Sequence, residues 1–187
     1  MSRLRVIAGK YRNRQLRSLR GLDVRPTTDR LRETLFNVLA PVVEDSVFLD
    51  LYAGTGAVGI EALSRRARMV YFVEASRKAA EVIRQNLRSL KIEEDYEVLE
   101  READAALRLL DSRAVSCDVC FLDPPYRMEH AYACVLDFLS EPRLLKPSSV
   151  VVAEHGKHFD PGGKFGMLER YRELRQGDGV LSFYRLH

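Results

Sequence analysis

The sequence is poor in cysteine and contains no long apolar run. Three cysteines occur among its 187 residues, and the segment 1–5 lacks the apolar stretch of a secretion signal. An odd number of cysteines in such a chain is typical of reduced thiols rather than of a disulfide framework. No segment approaches the roughly 20 apolar residues needed to cross a bilayer. We therefore expect a soluble, cytoplasmic protein without a membrane partner.

The cysteines also give no support for a metal site. Cys117 and Cys120 form a C-x-x-C pair, but the segment 116–122 around them has the apolar character of a buried strand. A structural zinc ion needs four ligands, and no second Cys or His pair stands at a suitable spacing. We expect no bound metal.

Charge is distributed unevenly along the chain. The formal net charge is +3, but residues 1–32 contain ten basic residues and two acids, so this segment carries +8 and the remainder −5. A basic arm on a mildly acidic body favours a polyanionic partner. From composition alone, a solvated pair of charged strands is an equally good interpretation.

Apolar and turn residues predict strands that alternate with helices. Residues 4–16 alternate around a central turn and predict a β-hairpin, and a helix begins near Thr28 and is expected to end before Pro41. From residue 46 the chain repeats strand, turn and helix, and the third of these helices is expected to follow Asp104. The predicted strands cover residues 47–51, 69–73, 96–99, 119–122 and 149–153.

The last part of the chain breaks this alternation. Residues 167–174 and 180–186 flank a Gly-Asp-Gly turn and predict an antiparallel hairpin. Strands that alternate with helices form parallel βαβ units of a doubly wound sheet. We therefore predict an α/β, Rossmann-like methyltransferase fold with a mostly parallel seven-stranded sheet and helices on both faces. A C-terminal antiparallel hairpin and an N-terminal β-hairpin complete it.

A glycine-rich turn follows the strand at 47–51. The segment 54–59 fits G-x-G-x-x-G, in which missing side chains allow a ligand to approach the backbone. This pattern alone suits NAD, FAD or S-adenosylmethionine. Asp50 lies where a carboxylate helps to hold a cationic methionine group, whereas NAD would place an anionic pyrophosphate at this helix start.

Two further acids follow the next two strands. Ligands of open α/β sheets bind at the carboxyl ends of the strands, so Glu74 is placed to accept both ribose hydroxyls of an adenosine and Asp104 to accept the adenine amino group. These contacts favour an adenosine cofactor without separating NAD from S-adenosylmethionine. The candidate cofactor-binding residues are Asp50, Tyr52, Ala53, Gly54, Thr55, Gly56, Glu74 and Asp104.

Asp123-Pro124-Pro125-Tyr126 directly follows the predicted strand 119–122. Two consecutive prolines restrict φ and remove two amide donors, so the turn presents acceptors. The Asp123 carboxylate and the Pro124 carbonyl can each accept one N–H of an exocyclic base amino group, while Tyr126 stacks on the base. The pattern predicts transfer of the cofactor's methyl group to that nitrogen, with S-adenosylhomocysteine as the second product. Asp123, Pro124, Pro125 and Tyr126 are the candidate catalytic residues.

Four segments carry a resemblance to a known family. They are Arg5-Val6-Ile7-Ala8-Gly9, the R-P-T-x-x-R-x-R-E-x-L-F stretch 25–36, the segment 50–56 and the D-P-P-Y segment 123–126. Through them the chain resembles, over nearly its whole length, the bacterial 16S ribosomal RNA guanine-N2 methyltransferases, the RsmD-like group. The stretch 25–36 is the most specific of the four, because D-P-P-Y also occurs in DNA adenine enzymes.

The resemblance implies transfer of one methyl group to guanine N2 of 16S ribosomal RNA, in the 30S subunit or an assembly intermediate. It also implies that Thr27 lies beside the methionine end of the cofactor, and that residues of the basic arm contact RNA phosphates or stack on a base. These candidate RNA-binding residues are Lys10, Tyr11, Arg12, Arg14, Arg17 and Arg25. Asn13 stands where the family hairpin has a glycine, and asparagine tolerates positive φ.

The domain organisation that we expect is a basic hairpin extension, residues 1–24, followed by a methyltransferase domain, residues 25–187, in a monomer.

Other functions remain open. An enzyme for DNA adenine N6 would usually carry a target-recognition domain, for which 187 residues leave little room, and a protein glutamine methyltransferase is a second alternative. An NAD-dependent oxidoreductase would leave D-P-P-Y unexplained, and the intact tetrapeptide disfavours an RNA-binding module without catalysis.

Overall fold

Residues 4–18, 28–125, 127–141 and 143–187 are described by a computed structural model, and this part of the chain contains five helices and eight strands. The helices are α1 (Asp29–Val43), α2 (Ala57–Ser64), α3 (Arg77–Ser89), α4 (Ala103–Ser112) and α5 (Glu129–Ser140). The strands are β1 (Val47–Leu51), β2 (Met69–Val73), β3 (Tyr96–Leu99), β4 (Cys117–Leu122), β5 (Leu145–Gly156), β6 (Lys164–Phe165), β7 (Leu168–Gln176) and β8 (Gly179–Leu186).

The sheet is built around β1 and has the strand order β3-β2-β1-β4-β5-β8-β7-β6. Strands β1 to β5 are parallel, and β8 runs antiparallel to both β5 and β7. This confirms the predicted parallel sheet with its closing antiparallel hairpin. The sheet has eight strands where the sequence predicts seven, because β6 contributes two residues, too few to show an alternation.

Helices cover both faces of the sheet, as predicted. All five residues of β1 are buried, which explains its uninterrupted apolar character, since a central parallel strand packs on both sides. One apolar core joins the sheet to α1, α2, α3 and the N-terminal hairpin, residues 4–18. A second core joins the opposite face to α4 and α5.

Two helices differ from the predicted boundaries. Helix α1 begins after Thr28, whose hydroxyl accepts the Leu31 N–H at 3.2 Å, but it continues through the exposed Pro41 to Val43. The buried side chain of Val43 extends the apolar face by one turn, so the helix continues although Pro41 cannot donate a backbone hydrogen bond. Helix α4 begins at Ala103, so Asp104 lies inside its first turn rather than before it.

The N-terminal hairpin has less strand pairing than the sequence suggests. Arg5 and Gln15 form an isolated antiparallel bridge, and the Leu16 N–H donates to the Leu4 carbonyl at 2.9 Å. Gly9 and Asn13 adopt φ values of 79° and 65°, so the asparagine takes the left-handed conformation expected of it. Several other hairpin amides are bonded to α2 and α3 instead of across the hairpin, which limits the ladder.

The five helices of the described ranges pack against the two faces of the sheet. None of them combines the length and the apolar character that a bilayer span requires.

The packing of α2 on β2 yields a test of the fold. A Cβ added at Gly59 would overlap the buried ring of Phe72. In a helix, Gly→Ala alone stabilises by about 0.5–1 kcal/mol, whereas overpacking costs about 1–3 kcal/mol. We expect Gly59→Ala to lower the free energy of unfolding, as measured by urea denaturation.

The matched control for this test is Phe72→Leu, alone and combined with Gly59→Ala. Because leucine lacks the ring that overlaps the new methyl group, the double variant should lose less stability than the sum of the two single losses. Strict additivity would contradict the proposed contact.

Candidate active site

Three predicted site segments meet at one edge of the sheet. Strands β1, β2 and β4 are adjacent and parallel, and Leu51 is in register with Val73 of β2 and with Leu122 of β4. The segments that follow these strands therefore lie side by side at their carboxyl ends. They are the glycine loop (residues 52–59), Glu74 and the Asp123-Pro124-Pro125 turn.

The glycine loop is tightly wound and partly strained. Tyr52, Gly54 and Gly56 have φ values of 62°, 56° and 77°, and the Gly56 N–H donates to the Ala53 carbonyl at 2.7 Å. The left-handed conformation suits the two glycines but costs about 1–2 kcal/mol at a residue such as Tyr52. Strain of this kind clusters at ligand sites. The loop therefore has the backbone geometry of a ligand-binding turn.

Glu74 ties the glycine loop to the start of α3. One carboxylate oxygen accepts the Gly54 N–H at 2.8 Å, and the other accepts the Ser76 N–H, also at 2.8 Å. Burial raises the pKa of Glu74, these two hydrogen bonds oppose the rise, and the charge of Glu102 adds to it. Each oxygen keeps a further lone pair, so this carboxylate can accept two more hydrogen bonds.

Asp50 is buried beneath the loop. Its carboxylate accepts the Gly59 N–H at 2.9 Å, inside the first turn of α2. A negative charge there interacts favourably with the helix dipole, but burial raises the pKa of Asp50 to about 7. Asp50 thus stabilises the start of α2. This structural role was not predicted from the sequence.

The charge of Glu102 raises the pKa of Glu74, whereas no such effect of Asp104 is seen. Asp104 is exposed on α4 and forms an ion pair with Arg108 at 3.9 Å. Glu102, at the residue before the helix, is near enough to raise the pKa of Glu74, and both acids raise that of Tyr52. Sequence reasoning missed Glu102 because it placed the start of α4 too late. The position of an acid directly before a helix was the available signal.

The Asp123-Pro124-Pro125 turn continues directly from β4. The Asp123 N–H donates to the Leu51 carbonyl at 3.4 Å, and the Pro125 carbonyl accepts the Met128 N–H at 2.7 Å. Among the described residues, the Pro124 carbonyl accepts no hydrogen bond. Asp123 keeps part of its surface exposed, yet the surrounding protein raises its pKa well above the usual range, with Glu154 and Asp50 adding to the rise.

Three carboxylates therefore share the carboxyl ends of β1, β4 and β5. Glu154 is the member that sequence analysis missed, although an acid that follows an apolar strand core is a recognisable signal. It is buried in β5, and its carbonyl accepts the Tyr132 hydroxyl at 2.6 Å. Arg32 of α1 is a buried cation near this cluster. Burial lowers its pKa, while Asp29, Glu61 and Glu154 oppose that effect.

The basic residues predicted to bind RNA remain accessible. Lys10, Arg12, Arg14 and Arg17 are exposed, and none of the four forms an ion pair with a carboxylate in the described ranges. Tyr11 is half-buried against the core, with the Lys10 ammonium 5.3 Å from its ring centroid. Within the described ranges, these four side chains therefore present positive charge to solvent without a carboxylate partner.

Three predicted site residues lie outside the described residues. They are Arg25, Thr27 and Tyr126. Their assigned roles therefore stay predictions.

Comparisons with known proteins agree on one family. The model of the family described as conserved hypothetical protein 95 matches residues 4–185. YlbH of Bacillus subtilis, provisionally named an rRNA methyltransferase, is 33% identical over 97% of this chain and 98% of its own. Ribosomal RNA small subunit methyltransferase D of Haemophilus influenzae is 39% identical over 82% of this chain and 79% of its own.

A solved structure shows the same fold. The protein yhhF from Escherichia coli, provisionally named a methyltransferase, superimposes with a TM-score of 0.83 at 29% identity, covering 100% of this chain and 99% of its own. The Rossmann-like methyltransferase fold predicted from the sequence is confirmed.

The buried Asp50 predicts a pH dependence of stability. Its pKa rises from 3.8 to about 7 on folding, so the protonated form favours the folded state. This contribution is complete below a pH of about 4 and is lost as the pH rises through about 7. We expect the free energy of unfolding of the wild type to fall over this window relative to Asp50→Asn, whose amide stays neutral and can still accept the Gly59 N–H.

Urea unfolding at several pH values measures this difference. The control is Asp137→Asn, which removes an exposed carboxylate of α5 and should keep the wild-type profile. Parallel profiles for the wild type and Asp50→Asn would contradict the burial argument.

Proposed function

The chain belongs to the family described as conserved hypothetical protein 95, and on this premise we propose that it methylates ribosomal RNA with S-adenosylmethionine as the donor. The acceptor that we propose is the exocyclic N2 of a guanine in 16S ribosomal RNA. One observation carries the proposal: the glycine loop and the Asp123-Pro124-Pro125 turn follow the adjacent strands β1 and β4. A cofactor on the loop and an amino group on the turn would therefore be neighbours.

The loop end of the site has room and acceptors for an adenosine. Among the described residues, a Cβ at Gly54 would meet nothing nearer than the Tyr52 carbonyl, 4.0 Å away, so one side of the loop is open to a ligand. We assign the free lone pairs of Glu74 to the ribose hydroxyls and Glu102, in place of Asp104, to the neighbourhood of the adenine. Thr27 keeps its assignment to the methionine end.

The turn end of the site is suited to hold a flat amino group. S-adenosylmethionine supplies an electrophilic methyl group on a cationic sulfur. Asp123 and the Pro124 carbonyl accept the two N–H groups, which aligns the nitrogen with that methyl group. A cationic sulfur bound near Asp50, Asp123 and Glu154 would favour the charged forms of these carboxyl groups, and Asp123 would then accept the proton that the amine releases.

The hairpin supports an RNA substrate. Exposed Lys10, Arg12, Arg14 and Arg17 would contact phosphates, which position RNA without reading its sequence. The curated relatives that match most of the chain carry rRNA methyltransferase names. We therefore propose the 30S subunit, or an intermediate of its assembly, as the physical substrate of a monomeric, cytoplasmic enzyme.

Transfer to unmethylated 30S subunits tests the substrate class. The enzyme is incubated with these subunits and S-adenosylmethionine labelled in the methyl group, and the product is treated with ribonuclease or with protease. After acid precipitation of the treated product, label that ribonuclease but not protease has made soluble supports the proposal. Label released by protease would instead identify a protein methyltransferase, and label on added DNA would identify a DNA enzyme.

Asp123 is the residue whose loss should affect chemistry most. We expect Asp123→Ala to reduce transfer by about 100-fold or more, the usual range for a lost acid-base or positioning group, while S-adenosylhomocysteine affinity stays within a few-fold. Asp137→Ala, on the exposed side of α5, is the control and should keep both properties. Simultaneous loss of transfer and affinity in Asp123→Ala would mean that the residue is structural.

The salt dependence of RNA binding tests the hairpin. Each phosphate of single-stranded RNA that a variant no longer neutralises should flatten the slope of log K against log salt by about 0.7, so Arg12→Gln with Arg14→Gln should flatten it by about 1.4. The control with the same change of net charge combines Arg108→Gln with Arg143→Gln, two exposed arginines outside the hairpin. If the control and hairpin variants have equal slopes, the hairpin is not the phosphate-binding surface.

A further inference from the structure

Asn86 of α3 is a buried amide that touches both proposed binding segments. Its Nδ2 donates to the Thr55 carbonyl of the glycine loop at 3.0 Å and to the Arg17 carbonyl of the N-terminal hairpin at 3.2 Å. Its Oδ1 accepts the Arg17 N–H at 2.7 Å. The side chain is 0% exposed. One amide therefore connects the proposed cofactor loop with the proposed RNA-binding arm.

The orientation of this amide is determined by its partners. The Arg17 N–H requires an acceptor, so Oδ1 faces the hairpin, and the two hydrogens of Nδ2 then serve the Arg17 and Thr55 carbonyls. No water can replace these bonds without entering a buried site. A shift of the Thr55 carbonyl consequently moves the amide or breaks a buried hydrogen bond, and a shift of Arg17 acts on Thr55 in the same way.

The rest of the hairpin is also fixed to the protein body. Glu61 of α2 accepts the Ile7 and Ala8 N–H groups at 2.7 and 2.9 Å, and Ser64 accepts the Tyr11 N–H at 2.9 Å. A Cβ at Gly9 would overlap the Ser64 carbonyl. These contacts hold the hairpin against α2, so Arg17 keeps its position beside Asn86.

We propose that Asn86 is a positioning residue that couples cofactor binding to RNA binding. A cofactor bound on the glycine loop would hold Thr55 and, through Asn86, Arg17 in one arrangement, and RNA on the hairpin would stabilise the same arrangement. Each ligand then increases the affinity for the other by the same factor, as linkage requires. This inference rests on the proposed function, since it takes the loop and the hairpin as the two binding segments.

Equilibrium dialysis tests the coupling. The dissociation constant of labelled S-adenosylhomocysteine is measured for the full-length enzyme with and without saturating unmethylated 30S subunits. We expect the subunits to tighten binding by about 5-fold or more in the wild type, the lower end of typical allosteric coupling. In Asn86→Ala the factor should fall close to 1, because no side chain then joins Thr55 to Arg17.

Ser64→Ala is the matched control. It removes hydrogen bonds from α2 to Tyr11 and Ala8 of the hairpin but leaves the Asn86 amide in place. It should weaken binding of the subunits and keep the coupling factor. An equal fall of the factor in both variants would mean that any loosening of the hairpin abolishes coupling, which would overturn the specific role of Asn86.

If Asn86→Ala fails to fold, the wild type alone can still overturn the inference. A coupling factor of 1 with both ligands bound would overturn the inference and leave the proposed function intact. Failure of the wild type to bind either S-adenosylhomocysteine or the subunits would overturn the proposed function itself. The two failures are therefore distinguishable in one series of measurements.

Discussion

The irregular backbone at the carboxyl edge of the sheet depends on hydrogen bonds with two buried side chains, Asp50 and Asn86, and with the half-buried Glu74. Asp50 accepts the Gly59 N–H, Glu74 accepts those of Gly54 and Ser76, and Asn86 donates to the Thr55 carbonyl. A buried backbone group without a partner would cost about 1–3 kcal/mol. These three side chains stand on β1, at the end of β2 and on α3, so regular elements determine the shape of the glycine loop.

The same arrangement separates charge across the molecule. Carboxyl groups accumulate at the strand ends, where burial, Glu154 and Asp50 raise the pKa of Asp123, while the hairpin on the α2 and α3 side carries exposed cations. A cationic cofactor is favoured at the first location and a polyanion at the second. The proposed reaction uses both, because the cationic sulfonium donor is attracted to the carboxylates and the anionic RNA acceptor to the hairpin.

Much of this site could be predicted because it follows the strands. A buried apolar strand ends at a definite residue, so the patterns at 47–59 and 119–125 are enough to place the loop and the turn next to each other. Boundaries were harder to predict: the start of α4 was expected too late, so Glu102, whose charge acts on Glu74, was not singled out. The role of Asn86 could not be predicted, because the sequence pattern of a single polar residue on a helix is the same whether that residue faces solvent or a buried carbonyl.

The identity of the methylated nucleoside tests the central claim most directly. Unmethylated 30S subunits are treated with the enzyme and labelled S-adenosylmethionine, and the recovered 16S ribosomal RNA is digested to nucleosides and separated by chromatography with mass detection. The account predicts that the label is found in N2-methylguanosine. Label in N6-methyladenosine, or in any other nucleoside, would contradict the assignment of the guanine amino group to the Asp123-Pro124-Pro125 turn.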